Sequence, residues 1–95
     1  MTAYMIFTRE KTTNQAELDK YGPMAGAASG GHKLTPLVVY GKYEVLEGAP
    51  TEGVVILSFP TKEDALGWYN SPLYTKAREQ RFKGAEYRAI IVEGV

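Results

Sequence analysis

Three stretches of the chain carry apolar side chains at successive positions, where an ordinary surface strand would alternate. They are "YMIF" at 4–7, "VVIL" at 54–57 and "AIIV" at 89–92. Side chains on a β-strand point in turn to the two faces of a sheet. A sheet with one wet face alternates apolar and polar residues. As strands, these stretches set Tyr4 and Ile6 against Met5 and Phe7, and Val54 and Ile56 against Val55 and Leu57. The last sets Tyr87, Ala89 and Ile91 against Ile90 and Val92. Both faces of the sheet therefore need a cover.

The rest of the chain supplies a cover for only one. The first strand is read over 3–10. Thr13 or Asn14 then caps a helix, with Glu17 completing a capping box after Asn14. Gly22-Pro23 is expected to kink or break that helix, and Gly30-Gly31 to end it. A long second strand is read over 33–48, with Pro36 marking an edge position or a bulge. A turn follows over 48–53, and a third strand over 54–59. Thr61, with acidic residues behind it, starts a second helix over 60–70. Ser71-Pro72 restarts it, Ser71 as N-cap and Pro72 in the first turn, out to about Phe82. The last strand covers 85–94. The order is that of an α+β, ferredoxin-like βαββαβ fold: a four-stranded antiparallel sheet with two helices on one face. One domain spans 1–95.

The helices leave the second sheet face open. A chain of 95 residues buries a modest core of its own. With no cysteine, disulfides and thiolate metal sites are not available to reinforce it. A homodimer joined through the open sheet face is the expected solution. The alternative is that these apolar residues are simply exposed.

Eleven basic and eleven acidic residues cancel, and no basic stripe stands out, which argues against nucleic acid as a partner. No apolar run approaches the ~20 residues of a membrane span. The N-terminus "MTAYMIFTRE" lacks the pattern of a secretion signal. The expectation is a cytoplasmic protein.

The stretch "WYNSPLY" at 68–74 concentrates aromatic residues around a helix restart. Asp64 and Trp68 are four apart and share one helix face. Trp68, Tyr69 and Tyr74 either fill the helix–sheet core or wall a pocket for a small organic ligand. Arg88 has the parity of Ile90 and Val92; on the helix-covered face it would lie among those aromatics and need a partner such as Asp64. Tyr40 lies in the second strand segment and joins the candidate binding residues. Arg78 and Arg81 read as solvated. His32, the only histidine, is a candidate general base. One histidine and no cysteine make a poor metal set, and neither metal nor cofactor is expected.

"AYMIFTRE", "YGKYEVLEG" and "FPTKEDALGWYNSPLYTKAREQR" together resemble the bacterial family known as domain of unknown function 1330, over essentially the whole chain. The resemblance implies a dimeric α+β barrel. That wider group includes cofactor-independent monooxygenases of antibiotic biosynthesis, muconolactone isomerases and several non-enzymes. The spacing of Trp68, Tyr74 and Arg88 is similar to that of the tryptophan, tyrosine and arginine in the monooxygenase pocket. Asp64 stands where those enzymes have an asparagine, which suits a general base or an ion-pair partner better than an oxygenase. The family itself has no single established activity; with Arg88 as a candidate buried arginine beside an aromatic wall, the expectation is a cofactor-independent enzyme for a small aromatic or enolic compound. Its binding residues are Tyr40, Trp68, Tyr69 and Tyr74; Arg88 holds an anionic group and His32 or Asp64 moves a proton. The alternative is a non-catalytic ligand-binding or structural dimerisation protein.

Overall fold

The computed structural model describes all 95 residues. In chain order the elements are β1 (Ala3–Thr12), α1 (Gln15–Ala28), β2 (Thr35–Val39), β3 (Gly53–Phe59), α2 (Lys62–Tyr69), α3 (Pro72–Gly84) and β4 (Ala85–Glu93). The strands form one antiparallel sheet in the order β2-β3-β1-β4. This is the ferredoxin-like arrangement, with the second helical region divided into α2 and α3.

The sheet register separates the two apolar parities cleanly. Met5 pairs with Leu57 and Ile91, and Phe7 with Val55 and Ala89. That face lies under the helices, and its core joins Ala3, Met5, Phe7, Leu57 and Phe59 to Ala65, Trp68, Tyr74 and Ala77. The other face carries a transverse row: Val38 beside Ile56, Ile56 beside Ile6, Ile6 beside Ile90. No element of this chain covers that row.

Side-chain caps start each helix where the sequence indicates. Asn14 Oδ1 accepts from Glu17 N at 3.2 Å, and Thr61 Oγ1 from Asp64 N at 3.1 Å. Ser71 links two helices with one hydroxyl. It donates to Trp68 O at 2.7 Å, closing α2, and accepts from Tyr74 N at 3.3 Å, opening α3.

Two expectations need correction. The first helix runs through Gly22-Pro23 without a break; packing of its apolar side onto the sheet and α3 outweighs the backbone hydrogen bond that proline removes. The second strand ends at Val39, well short of residue 48. Tyr40 turns the chain with a φ of 53°, and residues 41–50 are all exposed with no strand beside them. The bulge expected at Pro36 is present: the β2–β3 register shifts between Pro36 and Val38.

Gly84 fixes the distance between α1 and α3. A Cβ there would lie 2.6 Å from Leu18 N and 2.7 Å from Leu18 Cα. The Gly84 carbonyl accepts from Thr13 N at 2.8 Å and Asn14 N at 3.0 Å, so backbone bonds tie the start of α1 to the end of α3. Backbone cannot yield as a flexible side chain can. Gly84→Ala is therefore expected to lose about 1–3 kcal/mol of stability, read as a lower denaturant midpoint at unchanged slope.

Candidate functional site

The wall of the site begins with the residues that fill the core. Trp68 is 2% exposed and Tyr74 is fully buried. Their rings lie 4.0 Å apart between centroids, tilted by 30°. Phe59 packs against Trp68 at 5.6 Å, and Phe7 meets it edge-on at 6.3 Å. On its remaining side Trp68 borders a cavity of about 270 Å³ between α1 and the sheet. Ten of the fourteen residues lining it are hydrophobic, so an apolar body is what it can hold.

The helical wall is low because α1 presents the small residues Gly22, Ala25 and Gly26 there, followed by Ser29 at its C-cap. A Cβ built on Gly22 or Gly26 meets nothing within 4 Å. The sheet floor is Phe7, Val55 and Leu57, with Pro36 and Val39 of β2 at the edge.

Phenols supply the polar groups. Tyr21, Tyr40 and Tyr87 line the cavity. Tyr21 OH is 2.8 Å from Tyr74 OH, and Tyr40 OH hydrogen-bonds Tyr87 OH. Tyr40 is held in place by its backbone turn and by its neighbours. Its ring lies where a Cβ on Gly53 would be, 2.5 Å from Cδ1, and the Arg9 guanidinium sits 5.0 Å from its centroid. Arg9 in turn pairs with Glu52 at 3.7 Å. Burial pushes the Tyr21 and Tyr87 phenols well above their ordinary range, and the hydrogen bond each makes to its partner tyrosine pushes the same way. Burial also raises Tyr74, against a lowering by the Tyr21 hydrogen bond. These phenols are hydrogen-bond donors at neutral pH.

The sequence-selected residues divide. Trp68 and Tyr40 line the cavity. Tyr74 stands behind Trp68 and touches the cavity only through Tyr21. Tyr69 stacks on Tyr74 at 5.7 Å and lies under Arg78 at 4.3 Å, away from the lining. His32 borders a separate shallow depression with Lys33, Thr35 and Ser58. Asp64 sits in the first turn of α2, where its charge suits the helix N-terminus. Arg88 requires a correction: it pairs with Thr8 in the register and lies exposed on the open sheet face, beside Ile90 and Val92. It forms no ion pair with Asp64, which is on the helical side.

The buried arginine is Arg81, expected to be solvated. It is 2% exposed. The signal was present in the spacing: Tyr74, Ala77, Arg81 and Gly84 recur every three or four residues and form the buried stripe of α3. Tyr21 and Tyr87 were also missed; each lies on the covered face of its element among apolar neighbours. No three His, Cys, Asp or Glu side chains gather in a metal-ligating cluster, and no helix is long and apolar enough to cross a membrane.

A family model described as Domain of unknown function (DUF1330) matches residues 2–95. The chain belongs to the DUF1330 family. Among solved structures, RPA0582 of Rhodopseudomonas palustris, a protein of unknown function, is 17% identical with a TM-score of 0.73, over 99% of this chain and 82% of its own. A dimeric, ferredoxin-like protein of unknown function from Bacteroides fragilis is 10% identical at a TM-score of 0.70, over 98% and 96%. SnoaB, a cofactor-independent oxygenase from Streptomyces nogalater, is 7% identical at 0.66, over 99% and 93%. At these identities the likeness is one of fold. No curated protein sequence matches this DUF1330 chain.

Two predictions follow from the geometry. Gly26→Leu places a side chain where the cavity is open and replaces a poor helix former. Stability should stay level or rise by up to about 1 kcal/mol, while uptake of apolar ligands, read by Trp68 fluorescence, is lost. The second concerns pH. A phenol with a raised folded-state pKa holds its proton more tightly folded than unfolded, so its contribution is full below about pH 10 and lost as pH rises beyond it. Denaturant stability should be flat near neutrality and fall above about pH 10, and Tyr21→Phe should make the fall shallower.

Proposed function

We propose that this DUF1330 protein works as a face-to-face homodimer in which each cavity beside Trp68 binds one small aromatic or enolic compound and supports its cofactor-independent conversion. Oxygenation, isomerisation and related proton transfers are the reaction classes in view. The observation that carries the binding is the apolar cavity, with phenolic hydroxyls along one part of its lining. An apolar ring would pack against Trp68, Leu57 and Val55, while its oxygen would meet the tyrosines. The fold of SnoaB, described as a cofactor-independent oxygenase, is compatible with such chemistry.

The acid–base roles differ from those the sequence suggests. Neither His32 nor Asp64 is in the lining. Tyr21 and Tyr87 can donate hydrogen bonds but hold their protons near neutral pH, so they are not bases there. A substrate converted here would supply its own acidity, and the pocket would stabilise its oxygen. The same absence of a neutral-range base from the lining favours a second reading, binding without conversion.

Support for the dimer comes from the Val38–Ile56–Ile6–Ile90 row, which spans all four strands with nothing over it. Ile90 and Val92 are about half exposed. A second copy of the same sheet is the matching cover, and the Bacteroides fragilis structure of the same fold is described as dimeric.

Titration of Trp68 fluorescence with a panel of phenols, quinols and aromatic acids tests the pocket. A saturable change on at least one compound is expected, and mass spectrometry of the bound ligand then separates conversion from binding. A signal unmoved by the whole panel overturns the reading. For the dimer, light scattering should give twice the chain mass, and Ile56→Lys should halve it with the fold retained; a monomeric wild type contradicts the interface.

A further inference from the structure

Arg81 is the one charged side chain among the buried residues, and no negative charge is buried with it. The two ion pairs are Arg9–Glu52 and Lys20–Glu17, and Arg81 belongs to neither. Its Nε–H is buried without an acceptor. Its guanidinium carbon lies 5.3 Å from the centroid of Phe7, 5.0 Å from that of Tyr87 and 5.1 Å from that of Phe82. Ring faces attract a cation, which offsets part of the burial cost. They do not replace an anion: a buried charge without its partner costs several kcal/mol.

Phe7 and Tyr87 are also walls of the cavity. The unpaired charge therefore stands one aromatic ring away from the space a ligand would occupy. The phenols around that space complete the pattern. In each tyrosine pair one O–H donates to the other oxygen, which leaves one O–H per pair without an assigned acceptor. Tyr21, Tyr40 and Tyr87 line the cavity, and no carboxylate does. A positive charge and spare donors, with no carboxylate opposite, match a ligand that is negative and accepts hydrogen bonds.

We infer that the cavity takes its ligand as an oxygen anion on a small apolar body, and that Arg81 determines the preference for the ionised form. This rests on the binding reading above. Arg81 acts through the field behind the wall, so it is a specificity residue and not a catalytic one. Glu52 lies outside the lining and is engaged with Thr12 Oγ1 at 2.6 Å and with Arg9.

The test uses 4-nitrophenol, which ionises near neutrality, and nitrobenzene, which has a similar shape and no ionisable oxygen. Binding is read by quenching of Trp68 between about pH 5 and about pH 9, and ionisation of the bound phenol by its absorbance. Throughout that range Tyr21, Tyr74 and Tyr87 keep their protons, and a guanidinium is charged at any such pH. His32 lies outside the cavity, so His32→Ala must leave the profile in place.

The expected result is a bound 4-nitrophenol that ionises about one pH unit lower than the free compound, a ~10-fold preference for the anion. Nitrobenzene binding should not vary with pH. Arg81→Met should reduce the preference to less than about two-fold and keep nitrobenzene binding, while Arg81→Lys restores part of the preference. An unshifted or raised midpoint in the wild type overturns the inference without reference to any variant, and nitrobenzene binding then shows that the pocket itself survives. If neither compound binds, the pocket reading fails and takes the inference with it.

Discussion

The stack of Trp68 on Tyr74 is the contact on which the rest of the structure depends. Two residues six apart cannot meet this way on one straight helix, because neighbours on a helix face are three or four apart. The chain solves this with Ser71, whose single hydroxyl bonds Trp68 O in the last turn of α2 and Tyr74 N in the first turn of α3. Pro72 then takes a first-turn position where its missing N–H costs nothing. The stack itself contributes on the order of 1 kcal/mol beyond the area it buries. Its larger effect is positional. Tyr74 reaches Tyr21 and so sets α1, while Trp68 sits on Phe7 and Phe59 of the sheet.

The cavity is what remains once that contact is made. The helices α1 and α3 are held close at Gly84, where a Cβ would strike the backbone of Leu18. Farther along α1 the side chains shrink to Gly22, Ala25 and Gly26 just as the sheet below carries Val55 and Leu57. A helix held by one end and small in its middle leaves a space that the core residues do not fill. Two glycines inside a helix cost roughly 1 kcal/mol each against alanine. That cost has no packing explanation here, because a Cβ on either glycine would meet no atom within 4 Å. Room for a ligand is one physical reason to carry it. The same aromatic segment thus serves as core on one side and wall on the other.

Much of this could be read before the structure. Apolar residues at both parities in β1, β3 and β4 indicated a sheet that is apolar on both faces, one of them under the helices, and the caps at Asn14, Thr61 and Ser71 located the helices. The parity that revealed the fold also hid the site. Because both faces are apolar, nothing in the pattern around Arg88 said which face it joined, and the register puts it on the open one. Arg81 was legible by its spacing with Tyr74, Ala77 and Gly84, but arginine on a helix is ordinarily solvated, and that prior outweighed the periodicity. Tyr40 could not have been placed: its positive φ and its ring against Gly53 arise from contacts between β2, β3 and Arg9 that no local pattern encodes. The strand expected to run to residue 48 stops there for the same reason.

The central claim is that the space beside Trp68 is an open, apolar site in the folded protein. Apolar cavities of this kind admit xenon, so the most direct measurement is a crystal structure under xenon pressure. The account predicts a xenon atom between α1 and the sheet, in contact with Trp68, Leu57 and Ala25. A site closed by inward movement of α1 onto Val55 and Leu57, with no xenon bound there, would contradict it.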